Sequence, residues 1–206
     1  MNTPPKNEAY YEKLKAHQNT SALGVGWKSQ NSQRIRFTQL ANLFSKKKFS
    51  VNDIGCGKGH LFEFLSTDLH IDIQYTGYDI LESMVAGAKE LYGDSPKARF
   101  IHIAQMESIE RADYSVSSGI FNLKGEHREA YWLNYILSAI DIMDQKSGQG
   151  FAFNMLTQYS NHDCMKPDLF YADPCFFFDF CKKKYSRNVA LLHDYNEYDF
   201  TIIVRK

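Results

Sequence analysis

The stretch VNDIGCGKGHLFEFL, residues 51–65, places Gly55, Gly57 and Gly59 between an apolar run and an amphipathic one. A strand that ends in closely spaced glycines and passes at once into a helix is the device by which open α/β sheets bring backbone close to a nucleotide. The glycines allow the sharp turn and the close approach that a side chain would block. The ligand is open at this point: a phosphate, a dinucleotide or another adenosine carrier.

The surrounding pattern fits such a sheet. Phe37, Leu40, Ala41 and Phe44 share one helical face ahead of the strand FSVNDI, and Leu61, Phe64, Leu65 and Leu69 form a helical face behind the glycines. IQYTGYDI reads as strand two, LESMVAGAKELY as a helix, ARFIHIA as strand three and, after a short link, DYSVSSGIFN as strand four. Residues 127–146 form a long helix and GFAFNML strand five. Asp173 and Pro174 mark a helix start, an N-cap carboxylate before a proline. NVALLHDY and DFTIIVRK read as a hairpin over Asn196 and Glu197. The pattern predicts a doubly wound, mostly parallel sheet covered on both faces, with a closing antiparallel hairpin. The irregular stretch from Thr157 to Tyr171 is long enough to suggest a functional loop.

With 206 residues, 44% of them hydrophobic, the chain suits one core, and residues 1–206 are expected to form a single domain. Lysines and arginines (24) balance aspartates and glutamates (24), which gives no long-range pull toward nucleic acid or an anionic membrane. A small-molecule partner is expected, with the protein a monomer or weak homodimer. Cys56, Cys164, Cys175 and Cys181 form no CxxC pair and suggest reduced thiols in a cytoplasmic setting, without a metal site. No apolar stretch is long enough to span a membrane.

The ligand is narrowed by what flanks the turn. The dinucleotide fingerprint G-x-G-x-x-G requires a third glycine where His60 stands, and a P-loop requires Ser or Thr where Gly59 follows Lys58. Asp79, ending strand two, is placed to accept hydrogen bonds from the two hydroxyls of an adenosine ribose. Asp53, two residues before the first glycine, favours a cationic ligand over a pyrophosphate. Asn52 is a polar residue in a strand that should be buried, and burial demands a hydrogen-bond partner for it.

D-I-G-C-G-K-G followed by G-Y-D-I resembles the first two motifs of the class I S-adenosylmethionine-dependent methyltransferases. The resemblance implies their Rossmann-like seven-stranded sheet and S-adenosyl-L-methionine as cofactor. It places Asp53, Gly55, Cys56 and Gly57 at the methionine part, Asp79 at the ribose, and Ile80, Met84, Gln105 and Met106 near the adenine, with Ser118 where strand four ends beside the reactive methyl. It also implies that residues 1–32 form an N-terminal lid, with Trp27 closing it and Arg36, or Arg34, pairing with the cofactor carboxylate. Asn122 and Tyr159 are candidates for the acceptor, and His162, in the loop after strand five with Asn161 and Asp163, is the candidate base. Residues 117–122 lack the N-P-P-Y-like motif of base-modifying relatives. The implied activity is methyl transfer to an oxygen or nitrogen of a small molecule. The rival readings are a nicotinamide-dependent oxidoreductase and a cofactor-binding module without catalysis.

Overall fold

The computed structural model describes residues 30–206. Its elements follow in the order α1 (Gln30–Ala41), β1 (Lys48–Ile54), α2 (His60–Glu63, continued by a π-helical turn Phe64–Asp68), β2 (Asp72–Asp79), α3 (Glu82–Tyr92), β3 (Ala98–His102), β4 (Ala112–Ser118), α4 (Glu129–Lys146), β5 (Ser147–Leu156), α5 (Pro174–Lys184), β6 (Asn188–Leu192) and β7 (Asp199–Arg205). The strands form one seven-stranded sheet in the order β3-β2-β1-β4-β5-β7-β6. The β1–β5 neighbours pair in parallel, and β7 is antiparallel to both β5 and β6. Two apolar layers cover the sheet. One joins Phe37, Leu40, Leu61, Val85 and Ala88 to Val51 and Tyr75; the other joins Ile136, Ile140 and Phe177 to Phe151 and Phe153.

Local signals explain several boundaries. Asp173 Oδ1 accepts from the amides of Cys175 and Phe176, so α5 begins as the Asp-Pro pair predicts. Asn196 takes a left-handed φ of 57° in the hairpin turn, a conformation asparagine tolerates better than most residues. Among the described residues no helix is long and apolar enough to cross a membrane, and the four cysteines are free thiols.

The sheet is not covered on both faces along its whole length, contrary to the sequence expectation. Residues 103–111, which carry the chain from β3 past β2 and β1 to β4, hold one short 3-10 turn, Met106–Ser108, and no crossover α-helix. On the face that α4 and α5 cover elsewhere, alternation along β1–β3 sets Ser50, Asn52, Gln74, Thr76 and Arg99 at the end nearest the strand starts. A helix packed there would require apolar side chains. Instead, Asn52 Nδ2 donates to the Glu110 carbonyl at 2.7 Å, Arg99 donates to Glu110 Oε2 and Thr76 Oγ1, and the Glu110 amide donates to Tyr78 Oη. Asn52 therefore has the partner its burial requires, and it fastens an extended link across a polar stretch of sheet. Asn52→Val is expected to lower unfolding free energy by about 1–3 kcal/mol, because the Glu110 carbonyl loses its donor while valine's strand propensity returns less. A urea titration reads this out, and an unchanged midpoint would contradict it.

Candidate active site

The glycine turn sits at the carboxyl ends of the parallel strands, where β1 and β4 are neighbours and the strand order reverses. Gly55 has φ 78°, and a Cβ there would fall 2.1 Å from Ile120 Cγ2. Gly59 has φ 81° as the N-cap of α2, and its Cβ would meet the Phe100 ring at 2.8 Å. Gly59 thus provides the close helix–sheet packing that a third glycine one position later would provide in a dinucleotide fold.

The turn's amides are engaged by β2. Gly55 N and Cys56 N both donate to the Tyr78 carbonyl, at 2.8 and 3.0 Å. Gly57 N donates to Asp79 Oδ2 at 2.9 Å, and Leu81 N donates to Asp79 Oδ1 at 2.9 Å. Pyrophosphate binding needs such amides aimed at the ligand. Here they hold the turn to β2 and fix the carboxylate that ends it. A carboxylate offers roughly four acceptor positions, so Asp79 keeps capacity for ribose hydroxyls.

Asp53 is buried on the cavity wall and accepts from Tyr75 Oη at 2.5 Å. Burial pushes its carboxyl up from the ordinary 3.8 to about 7; the Tyr75 hydrogen bond opposes the rise, and the charge of Asp79 adds to it. Burial also raises the Cys56 thiol and lowers the His60 imidazole, so both favour their neutral forms. Two acidic groups and one lysine, Lys58, therefore set the charge of this cavity among the described residues. That balance fits a cation.

Of the residues expected from the sequence, Asp53, Gly55, Cys56, Gly57, Asp79, Ile80, Met84, Met106 and Ser118 line one cavity. The structure adds Gln33 and Phe37 from α1, Lys58 from the turn, His60 from the start of α2, Leu81 and Ile103, Gly119 and Ile120, and Trp132 and Tyr135 from α4. Trp132 is fixed by a hydrogen bond from Nε1 to the Phe121 carbonyl at 2.8 Å, and its ring lies 4.9 Å from that of Tyr135. Only the i, i+3 spacing of these two aromatics hinted that they shared a surface. The sequence could not say that this surface faced a ligand.

Other candidates lie elsewhere. Arg36 is turned to β7 and its approach: it donates to Asp199 Oδ2 at 2.5 Å and to Glu197 Oε2 at 3.2 Å, and it also bonds Ser32. Gln33, one helical turn earlier, takes the place on the cavity wall expected of Arg36. Arg34 pairs with Asp68. Gln105 is exposed beyond β3, and only its neighbour Met106 reaches the cavity. Asn122 accepts from Leu156 N at 2.9 Å, and its carbonyl accepts from Phe170 N, which ties the end of β4 to the loop after β5. Tyr159 is 64% exposed and His162 sits in an exposed 3-10 turn, so neither contributes to the cavity wall. His193 and Asp194 are also off the wall. Trp27 lies outside the described residues.

Arg36→Met is expected to cost about 3–5 kcal/mol of stability, because it leaves the buried Asp199 carboxylate uncompensated. Cofactor affinity should change far less. A chemical denaturation curve and a ligand titration on the same variant separate the two, and the reverse pattern would return Arg36 to the ligand.

A family model described as a methyltransferase domain matches residues 51–136. A Mycobacterium tuberculosis protein named as a methyltransferase is 45% identical over 158 residues, which cover 77% of this chain and 93% of that protein. Among solved structures, magnesium protoporphyrin IX methyltransferase from Synechocystis PCC 6803 with bound SAH matches at a TM-score of 0.64 and 10% identity, over 98% of this chain and 94% of that one. The DhpI–SAH complex matches at 0.66 and 11% identity, over 97% and 94%. At these identities the two solved structures share the fold with this chain.

Proposed function

Because this chain belongs to the S-adenosylmethionine-dependent methyltransferases, we propose that it moves the methyl group of S-adenosylmethionine to an oxygen or nitrogen of a small-molecule acceptor. One observation carries the cofactor reading: the amides of Gly55, Cys56 and Gly57 are bonded to Tyr78 and Asp79 rather than held out for a phosphate. The nicotinamide reading needs those amides. Asp79 would take the ribose, Ile80, Met84, Ile103 and Met106 would flank the adenine, and Asp53 with the glycine turn would hold the methionine part.

The bound cofactor supplies an electrophilic methyl on a sulfonium. The chain's part is alignment, since holding an acceptor atom in line with a reacting centre can contribute several kcal/mol without covalent participation. Ser118, Gly119 and Ile120 form the wall at the end of β4, where small side chains leave room for the acceptor. A base is needed only for an acceptor that arrives protonated. The even charge of the chain supports a small acceptor over a polyanion. We read residues 1–206 as one domain; residues 1–29 of the expected lid lie outside the described residues, and residues 30–32 begin α1.

Calorimetry with S-adenosylmethionine, S-adenosylhomocysteine and NAD tests this. Binding of the first two and not of NAD is expected; NAD binding without S-adenosylmethionine binding would overturn the reading. Formation of S-adenosylhomocysteine on incubation with a panel of alcohols and amines then separates an enzyme from a non-catalytic binding module.

A further inference from the structure

Helices α1 and α2 run side by side on one sheet face. α1 leads into the start of β1, and α2 leads from the end of β1 toward the start of β2, so both point the same way. Their contact is marked by Phe37 and Phe64, whose rings lie 5.7 Å apart. Gln33 stands one turn before Phe37, and His60 one turn before Phe64, whose amide donates to the His60 carbonyl. The faces that meet through the two phenylalanines therefore bring Gln33 and His60 to neighbouring positions at the cavity, and both line its wall.

Neither of these side chains has a hydrogen-bond partner among the described residues. Gln33 is 8% exposed, and its amide, unlike that of Asn154, is not sealed from solvent: it opens on the cavity. A polar group buried on a cavity wall is completed by what the cavity holds. The arginines beside Gln33 are committed elsewhere, Arg34 to Asp68 and Arg36 to Asp199 and Glu197. Burial lowers the His60 imidazole, Glu63 opposes that shift and Lys58 adds to it, so the ring is neutral and offers one N–H. The corner thus presents an amide NH₂ and an imidazole N–H, with no negative charge of its own. The stem of Lys58 lies against Gly87 of α3, its carbons 3.6–3.8 Å from where a Cβ would stand. On the other side of the cavity, Ile103, Ile120 and Trp132 belong to the second apolar layer. The cavity is therefore apolar toward α4, acidic at Asp53 and Asp79, and rich in donors between α1 and α2.

We propose that Gln33 and His60 are the recognition residues for the carboxylate at the amino-acid end of the cofactor, with Gln33 Nε2 and the imidazole N–H donating to its oxygens while Asp53 takes the ammonium. This rests on the methyltransferase reading and deepens it: two neutral donors do what an arginine was expected to do.

The test titrates three ligands by calorimetry: S-adenosylhomocysteine; S-adenosyl-3-thiopropylamine, the same molecule without its carboxylate; and 5′-methylthioadenosine, which keeps only the adenosine part. Wild-type protein is expected to prefer S-adenosylhomocysteine over the thiopropylamine by about a hundredfold, the scale of two hydrogen bonds to a charged group. Gln33→Leu and His60→Leu should each cut that preference about tenfold. Gln33→Glu, of the same size, should reverse it, because a carboxylate would then face a carboxylate. Methylthioadenosine should bind the wild type and all three variants alike, which shows that the cavity is intact. A wild-type preference below about fivefold, or one that is unchanged in either leucine variant or retained in Gln33→Glu, would overturn the proposal. So would a loss of methylthioadenosine affinity as large as the loss for S-adenosylhomocysteine. Failure of the wild-type protein to bind either S-adenosylhomocysteine or methylthioadenosine is a different result, and it sinks the cofactor reading instead.

Discussion

Asp79→Ala is expected to lower the affinity for S-adenosylhomocysteine by about a hundredfold or more and to destabilise the protein at the same time. Two hydrogen bonds from ribose hydroxyls to a carboxylate are worth about 1.5–3 kcal/mol each, and a tenfold change corresponds to about 1.4 kcal/mol. The same carboxylate accepts from Gly57 N and Leu81 N, so its removal also loosens the glycine turn from the end of β2. That second effect should appear as about 2 kcal/mol or more in urea unfolding without ligand. The two can be told apart with a ligand that lacks one ribose hydroxyl: wild-type protein should discriminate against the 2′-deoxy analogue of S-adenosylhomocysteine, and Asp79→Ala should not. A loss below about fivefold in the variant, where about 1 kcal/mol is at stake, would place the ribose elsewhere.

Asp53 is expected to make cofactor binding pH-dependent, with the opposite sign to its effect on folding. In the free protein the carboxyl titrates at about 7, chiefly because it is buried. A ligand bearing a sulfonium and an ammonium favours the ionised form, so below that pH binding must expel a proton. Affinity for S-adenosylmethionine should therefore rise between about pH 5 and pH 7, by up to tenfold per unit, and level off above. For folding, the native carboxyl retains a proton that the unfolded chain, titrating near 3.8, has already released. Asp53 thus makes stability fall as pH rises from about 4 to about 7, after which the loss is complete. Asp53→Asn should flatten both slopes. Calorimetry in buffers of different ionisation enthalpy measures the proton release, and a pH-independent affinity in the wild-type protein would contradict the assignment.

The parts of the site written in contiguous residues were legible beforehand. Asp53, Gly55, Gly57 and Asp79 could be read because a strand end, a turn and the next strand end are local geometry, and parallel pairing of β1 with β2 brings them together. Asn52 was legible as a demand, a buried amide needing a partner, but not as an answer. Its partner, the Glu110 carbonyl, belongs to a link whose course across the sheet no local pattern records. Trp132 and Tyr135 belong to a long helix whose pattern marks no cavity-facing side, and they become cavity wall only because α4 packs beside the end of β4.

The helix α1 marks the limit most clearly. Gln33, Arg36 and Phe37 lie within about one turn of one another, and charge alone favours Arg36 as the group for an anionic cofactor carboxylate. The structure gives Arg36 to Asp199, far along the chain on β7, and leaves an uncharged amide and a ring for the cavity. A buried carboxylate demands a cation more strongly than an open cavity does, because desolvation leaves it no other compensation. Periodicity, glycine placement and strand-end acids thus determined the sheet, the turn and a cationic, phosphate-free ligand. Which side chains line the cavity beside that turn was decided by packing and long-range pairing, since burial and charge compensation depend on partners that the chain brings together only when it folds.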